Sequence, residues 1–172
     1  MRKPEPTEYA GFFAGYVNLV PEPDPLPVLA SQLDEVLAFL RTVSEADASV
    51  LHAPYTWTFK EVIGHIADGE RVFGYRALRF ARGDATPLAG YDEALFAAHA
   101  ESDRLSFADV VADWEAARRA NVSLFRSLPE AAWVRGGEAN GAYLSVRALA
   151  YIIVGHTRHH FAILKKRLGR AE

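Results

Sequence analysis

Apolar residues recur at spacings of three and four through most of this chain, the stripe that one face of an amphipathic helix presents to a core. Leu26, Leu29, Leu33, Val36, Leu37 and Leu40 carry the stripe between about Pro25 and Val43 and predict a first helix. The second helix has the clearest start. Thr58 and Glu61 form a capping box that satisfies the free N–H groups of the first turn, and Trp57 stands where a hydrophobic staple would. Val62, Ile66, Gly69, Phe73, Leu78 and Phe80 continue this second stripe to Arg82, and Gly83 can supply the left-handed turn that ends it. A loop from Asp84 to Gly90, centred on Pro87, and a short helical piece from Asp92 to about Ala100 then predict a long connection. A third helix opens at Ser106, turns Phe107, Val110, Val111, Trp114, Ala117, Leu124, Phe125 and Leu128 inward, and stops before Pro129. After a turn-rich stretch from Arg135 to Gly141, a fourth helix runs from near Ser145 to Gly169.

Four long helices, no sustained strand-like alternation and no internal repeat predict an all-α four-helix bundle rather than a solenoid or an α/β fold. Ahead of it, Pro4, Pro6, Pro21, Pro23 and Pro25 predict an extended arm, whose Tyr9, Phe12, Phe13 and Tyr16 are too apolar for a linker and are expected to pack on the bundle. Residues 1–172 are read as one domain, with 1–24 as the arm.

Composition narrows the chemistry. Half of the 172 residues are hydrophobic, enough for a core without covalent staples. The chain has no cysteine, which excludes disulfides, iron–sulfur clusters and a protein thiol nucleophile, and leaves His, Asp and Glu as the available metal ligands. A net charge of −3 from 19 basic and 22 acidic residues gives no electrostatic footprint for nucleic acid or an anionic membrane. Lys165, Lys166, Arg167 and Arg170 form a basic run, but at the end of the last helix, where cations complement the carbonyl dipole. The proline-rich, charged start contains no apolar run of signal or membrane length, so the expected location is the cytoplasm.

The candidate chemistry lies in histidines that occupy apolar positions. On the fourth helix, Leu149, Ile152, Ile153, Ile163 and Leu164 share their stripe with His156 and His160, four residues apart. That spacing separates side chains by about 6 Å along the axis and about 40° around it, so both rings can reach one ion. His65 breaks the second stripe in the same way, beside Val62, Ile66 and Gly69. If the two helices are neighbours, three neutral imidazoles form a facial set for Zn²⁺, Ni²⁺ or Fe²⁺ with a coordination position left open. Asp68, three residues past His65, is expected to accept the spare N–H of an imidazole. His159 adjoins the pair but projects about 60° further round, and is read as a supporting residue. Glu70 points off the stripe, and His52 and His99 are expected in solvent. Nucleophile elbows, phosphate-binding loops, His-Glu-x-x-His and dinucleotide fingerprints are all absent.

The run from Trp57 to Glu70 (WTFKEVIGHIADGE), the run from Ser145 to His156 (SVRALAYIIVGH) and the His159-His160 pair together resemble the DinB-like (YfiT-like) superfamily of metal-binding four-helix bundles. Tyr16 to Pro21 and the loop from Arg79 to Gly90 look like that family too, so the resemblance covers nearly the whole chain. It implies a bundle of up-down-down-up type with a long crossover between helices two and three, a homodimer, and metal ligation by His65, His156 and His160. The chain departs from the family pattern at Thr157, where many relatives carry an acid, so no general base is expected there. Family members include transferases and an isomerase that use low-molecular-weight thiols such as bacillithiol or mycothiol. The leading expectation is therefore a metal-dependent S-transferase acting on a small molecule in stress or detoxification, with no catalytic group beyond the ligands. A metal-dependent hydrolase and a non-enzymatic, stress-induced metal-binding bundle stand as alternatives.

Overall fold

The computed structural model describes residues 2–84 and 86–169. Arg170 of the predicted basic run lies outside the described residues, as do Met1 and Ala85. The chain opens with turns of 3-10 helix at Pro6–Glu8 and Gly11–Phe13, followed by α1 (Ala14–Asn18), α2 (Pro25–Leu40), α3 (Glu45–Ala48) and α4 (Phe59–Ala81). The remainder is α5 (Glu93–Ala100), α6 (Phe107–Arg126), a hairpin of β1 (Gly136–Ala139) and β2 (Ala142–Ser145), and α7 (Val146–Arg167).

The long helices start where side chains can replace missing backbone acceptors. Asp24 caps α2 by accepting from the Leu26 N–H, and Thr58 and Glu61 close the predicted capping box on α4. Ser106 and Ser145 cap α6 and α7 in the same way. Gly83 and Gly169 both have positive φ, as expected of residues that end helices.

Side-chain pairs fix the helix directions. Arg167 at the end of α7 donates to the Trp57 carbonyl just before α4, while Gly137, shortly before α7, lies against Phe80 near the end of α4; the two helices are antiparallel. Gln32 meets Val154 and Phe39 meets Phe161, so α2 runs parallel to α7. Lys60 meets Leu105, and Glu70 meets Arg118 and Asn121, so α4 runs parallel to α6. The order is up-down-down-up. A parallel pair in sequence cannot be joined by a tight turn, which is why the chain needs the long crossover from Arg82 to Ser106 that carries α5.

Four expectations are corrected. The arm is not extended: it folds back as 3-10 turns and α1, held where Glu8 takes hydrogen bonds from Ser145 and Arg147. Of its aromatics Phe13 is buried, but Phe12 is 65% exposed, because it lies at a cleft mouth and not on the core. Leu78, assigned to the inward stripe of the second helix, is likewise exposed. The stretch read as turns contains a two-stranded hairpin, with Gly136 paired to Ser145 and Ala139 to Ala142. Its two-residue turn is Asn140-Gly141, both at positive φ, the conformation that suits the twist of a tight hairpin.

The apolar interior falls into two clusters. One includes Leu29, Phe73, Val122 and Val154, the other Leu33, Ile66, Trp114 and Phe161. Between these levels each long helix contributes a polar residue: Gln32 from α2, Glu70 from α4, Arg118 from α6 and Thr157 from α7. Arg118 is fully buried, and its Nε is 2.7 Å from Glu70 Oε1, its Nη1 2.7 Å from Gln32 Oε1 and its Nη2 2.8 Å from Thr157 Oγ1. Asn121 donates to the second carboxylate oxygen and to the carbonyl of Glu70, completing the layer. Among the described residues, no helix is long and apolar enough to cross a membrane.

Candidate metal centre

Beside this layer α4 and α7 bring His65, His156 and His160 together. His65 Nε2 is 3.0 Å from His156 Nε2, and His160 Nε2 is 3.1 Å from that same atom. One ligand atom from each of the three rings lies within 4.8 Å of the other two. The rings are steeply inclined, at 66° to 77°, so their edges and not their faces converge. Antiparallel packing produces this meeting: the lone position on α4 falls level with the i, i+4 pair on α7. Gly69 makes room, since a Cβ there would come 3.0 Å from His156 Cε1.

The donor set fits a cation better than it fits itself. An imidazole nitrogen has one in-plane position, occupied by a proton or by a lone pair. His156 Nε2 faces two others, so no placement of one proton satisfies all three nitrogens. At a metal–nitrogen distance of about 2.1 Å, donors subtending a right angle would be about 3.0 Å apart, close to the separations seen. Protonation offers no alternative. Burial lowers the pKa of His65 to about 4, burial with the neighbouring His65 and His159 lowers that of His160 to about 3, and burial followed by the neighbouring His160, His65 and His159 and by Arg118 lowers that of His156 well below its usual value. All three are neutral at pH 7, the ligating form.

The rings open into a cleft of about 390 Å³. The arm contributes Phe12, Phe13 and Tyr16 to its wall, the crossover Tyr91 and Glu93, the hairpin Ala139 and Asn140, and the bundle Trp57, Phe73 and Arg76. Trp57 lies 5.0 Å from the His65 ring, and Tyr16 5.3 Å from that of His156. The arm sits close because position 155 is glycine: a Cβ there would lie 2.0 Å from the Tyr16 carbonyl oxygen. Tyr91 is pushed up to about 12 by burial, aided by Glu93, so its hydroxyl stays protonated.

The other sequence candidates separate. His159 is exposed, 5.1 Å ring to ring from His160 and 5.5 Å from Tyr16, and flanks the site without entering it. Asp68, expected to accept from an imidazole, makes no hydrogen bond to any of the three among the described residues. Three residues of helix turn it some 60° away from His65, toward Arg71 and Asp113 and into a shallow depression with Leu95 and His99. Glu70 does leave the histidine stripe, but into the buried layer and not into solvent. His52 is half-buried and His99 exposed. The sequence reading passed over Arg76. It stands eleven residues beyond His65, three helical turns and therefore on the same face of α4, which was the signal available.

A family model described as the DinB superfamily matches residues 29–164. Among solved structures, YfiT from Bacillus subtilis, described as a probable metal-dependent hydrolase with an unusual four-helix bundle topology, superposes with a TM-score of 0.70 at 18% identity, over 97% of this chain and 93% of that one. A mycothiol-dependent maleylpyruvate isomerase superposes with a TM-score of 0.69 at 15% identity, over 84% of this chain but only 61% of the isomerase. At such identities the likeness is one of fold. No curated protein matches the sequence.

Proposed function

This chain belongs to the DinB superfamily, and on that footing we propose that it is an enzyme holding a divalent metal ion on His65, His156 and His160 to activate a small thiol for transfer to an electrophilic small molecule. The observation that carries the reading is the convergence of three neutral Nε2 atoms on one point at the foot of a cleft. Bound there, such an ion would lower the pKa of a coordinated thiol and supply a thiolate at neutral pH. Zinc, nickel and iron(II) all suit three imidazoles.

The chain's own residues favour sulfur over water as the nucleophile. Hydrolysis commonly uses a carboxylate or a histidine as general base beside the attacked bond. Among the described residues, the cleft wall has one carboxylate, Glu93, which is exposed, and its only histidines are the three assigned as ligands. A thiolate, once formed, attacks without further proton removal, and with no cysteine in the chain the sulfur must come from outside. The aromatic wall of Phe12, Phe13, Trp57 and Phe73 would give the nucleophile an apolar surrounding, while Tyr16 and Tyr91 hold hydroxyl protons over the cleft. The isomerase of the same fold is mycothiol-dependent, which supports a thiol cosubstrate; YfiT supports hydrolysis as the second reading.

Metal analysis of untagged protein should find one divalent ion per chain, and His65→Ala, His156→Ala and His160→Ala should each lose it. A panel of electrophiles, esters and amides, assayed with and without added low-molecular-weight thiols, should turn over only with thiol. Turnover of esters or amides without thiol would select hydrolysis. Full metal retention in all three variants would end both readings.

A further inference from the structure

The far wall of the cleft contains a charge that nothing among the described residues neutralises. Arg76 is 96% buried on α4. Among the described residues, its one hydrogen bond is from Nη2 to the carbonyl oxygen of Ala89, at 3.1 Å, and no carboxylate pairs with it. The contrast with Arg118 is direct. That guanidinium, equally buried, spends its donors on Glu70, Gln32 and Thr157.

A guanidinium does not shed its proton at neutral pH, so burying one without a counter-charge is unfavourable. Burial is the leading influence on Arg76 and acts against its charged form. Its immediate surroundings offer the Phe73 ring, 6.0 Å from the guanidinium carbon, and the nearby Tyr91, which stays neutral because its pKa is raised to about 12. Glu93, the one acid in the wall among the described residues, is exposed and forms no ion pair with it. Phe73 also lies 5.9 Å from the His156 ring, so a single aromatic ring spans the floor between the histidines and the cation.

Given the cleft as the substrate site, we propose that Arg76 is its anion-binding end, and that the small molecule processed there carries a carboxylate on an apolar body. The free N–H groups of a guanidinium present a planar fork that matches the two oxygens of a carboxylate. A single cation among neutral side chains, with an acid at the rim, suits a monoanion better than a phosphate dianion. Phe12, Phe13, Trp57 and Phe73 would clasp the apolar part, leaving the opposite end of the molecule facing His65, His156 and His160.

The test uses the full chain stripped of metal with EDTA, so that a carboxylate cannot bind through an ion. We would titrate 4-phenylbutyrate, its neutral amide and inorganic phosphate, following the arginine Nε–Hε resonances by NMR. The expected result is that the carboxylate moves the Arg76 resonance and binds at least tenfold more tightly than the amide or phosphate. Arg76→Gln should lower carboxylate affinity at least tenfold while binding zinc with unchanged stoichiometry, and Arg76→Lys should retain part of the affinity. Equal affinity for acid and amide, tighter binding of phosphate, or unchanged carboxylate affinity in Arg76→Gln would each overturn the assignment. Should Arg76→Gln fail to fold, an Arg76 resonance in the wild-type protein that ignores the carboxylate would overturn it equally. Zinc titration of the same samples reports on the histidines alone, so loss of one reading is distinguishable from loss of the other.

Discussion

Two buried polar clusters lie side by side in this bundle, built partly from the same two helices, and they are finished differently. In the layer of Gln32, Glu70, Arg118, Asn121 and Thr157, opposite charges meet and donors find acceptors within the protein. In the cluster of His65, His156 and His160, three like groups point at each other with no counter-charge. A polar group closed on its neighbours contributes to the fold. One left with its lone pairs aimed at a shared point, and open to a cleft, makes sense through what it will hold. The difference lies in satisfaction and not in burial, since both clusters are largely withdrawn from water.

Substitution should separate the two. The largest effect is expected at Arg118→Met, which leaves the Glu70 carboxylate buried without its partner: about 3–5 kcal/mol of stability should be lost in urea unfolding. Zinc stoichiometry of the folded fraction should not change. A loss below about 1 kcal/mol would mean the layer is not closed in the way its hydrogen bonds imply. Next is His156→Leu. In metal-free protein it should cost no more than about 1.5 kcal/mol, as a nearly volume-conserving change. Zinc at a hundredfold excess over the wild-type Kd should stabilise the wild type by about 2.7 kcal/mol and this variant not at all. A metal-dependent rise in Tm that survives in His156→Leu would erase the contrast. The smallest effect belongs to Gly69→Ala, whose methyl group would push the His156 ring by a few tenths of an ångström. Zinc affinity should fall by about tenfold, the scale on which neighbours that orient a ligand act, with the metal-free melting temperature barely changed.

The histidine cluster was the more legible of the two in the sequence, and the reason is physical. Periodicity shows what is odd about a helix face, so an imidazole at His65, or a pair at His156 and His160, stands out against Ile and Leu. Arg118 gave no such signal. It falls four residues after Trp114, but a charged residue on an amphipathic helix is ordinarily a solvated one, and the partners that bury it come from three other helices. The destination of Glu70 was hidden for the same reason: one helix wheel can show that it leaves a stripe, not that another helix waits on that side. Caps were readable because they are local, as Thr58, Ser106 and Ser145 attest. The hairpin was missed because four-residue strands containing Gly136 and Gly137 carry no alternation, although Asn140-Gly141 is a strong two-residue turn signal. The arm's shape depends on long-range ties between Glu8 and the start of α7, and proline content alone suggested an extended chain.

Gly155 carries a consequence for how the cleft can change. It receives the arm through the main chain of residue 16 and not through the side chain, so the close approach at this point does not depend on which side chain residue 16 bears. The lip of the pocket can thus be rewritten at Phe12 or Tyr16 while its berth on α7 stays the same, and one set of imidazoles can serve differently shaped guests behind an exchangeable doorway.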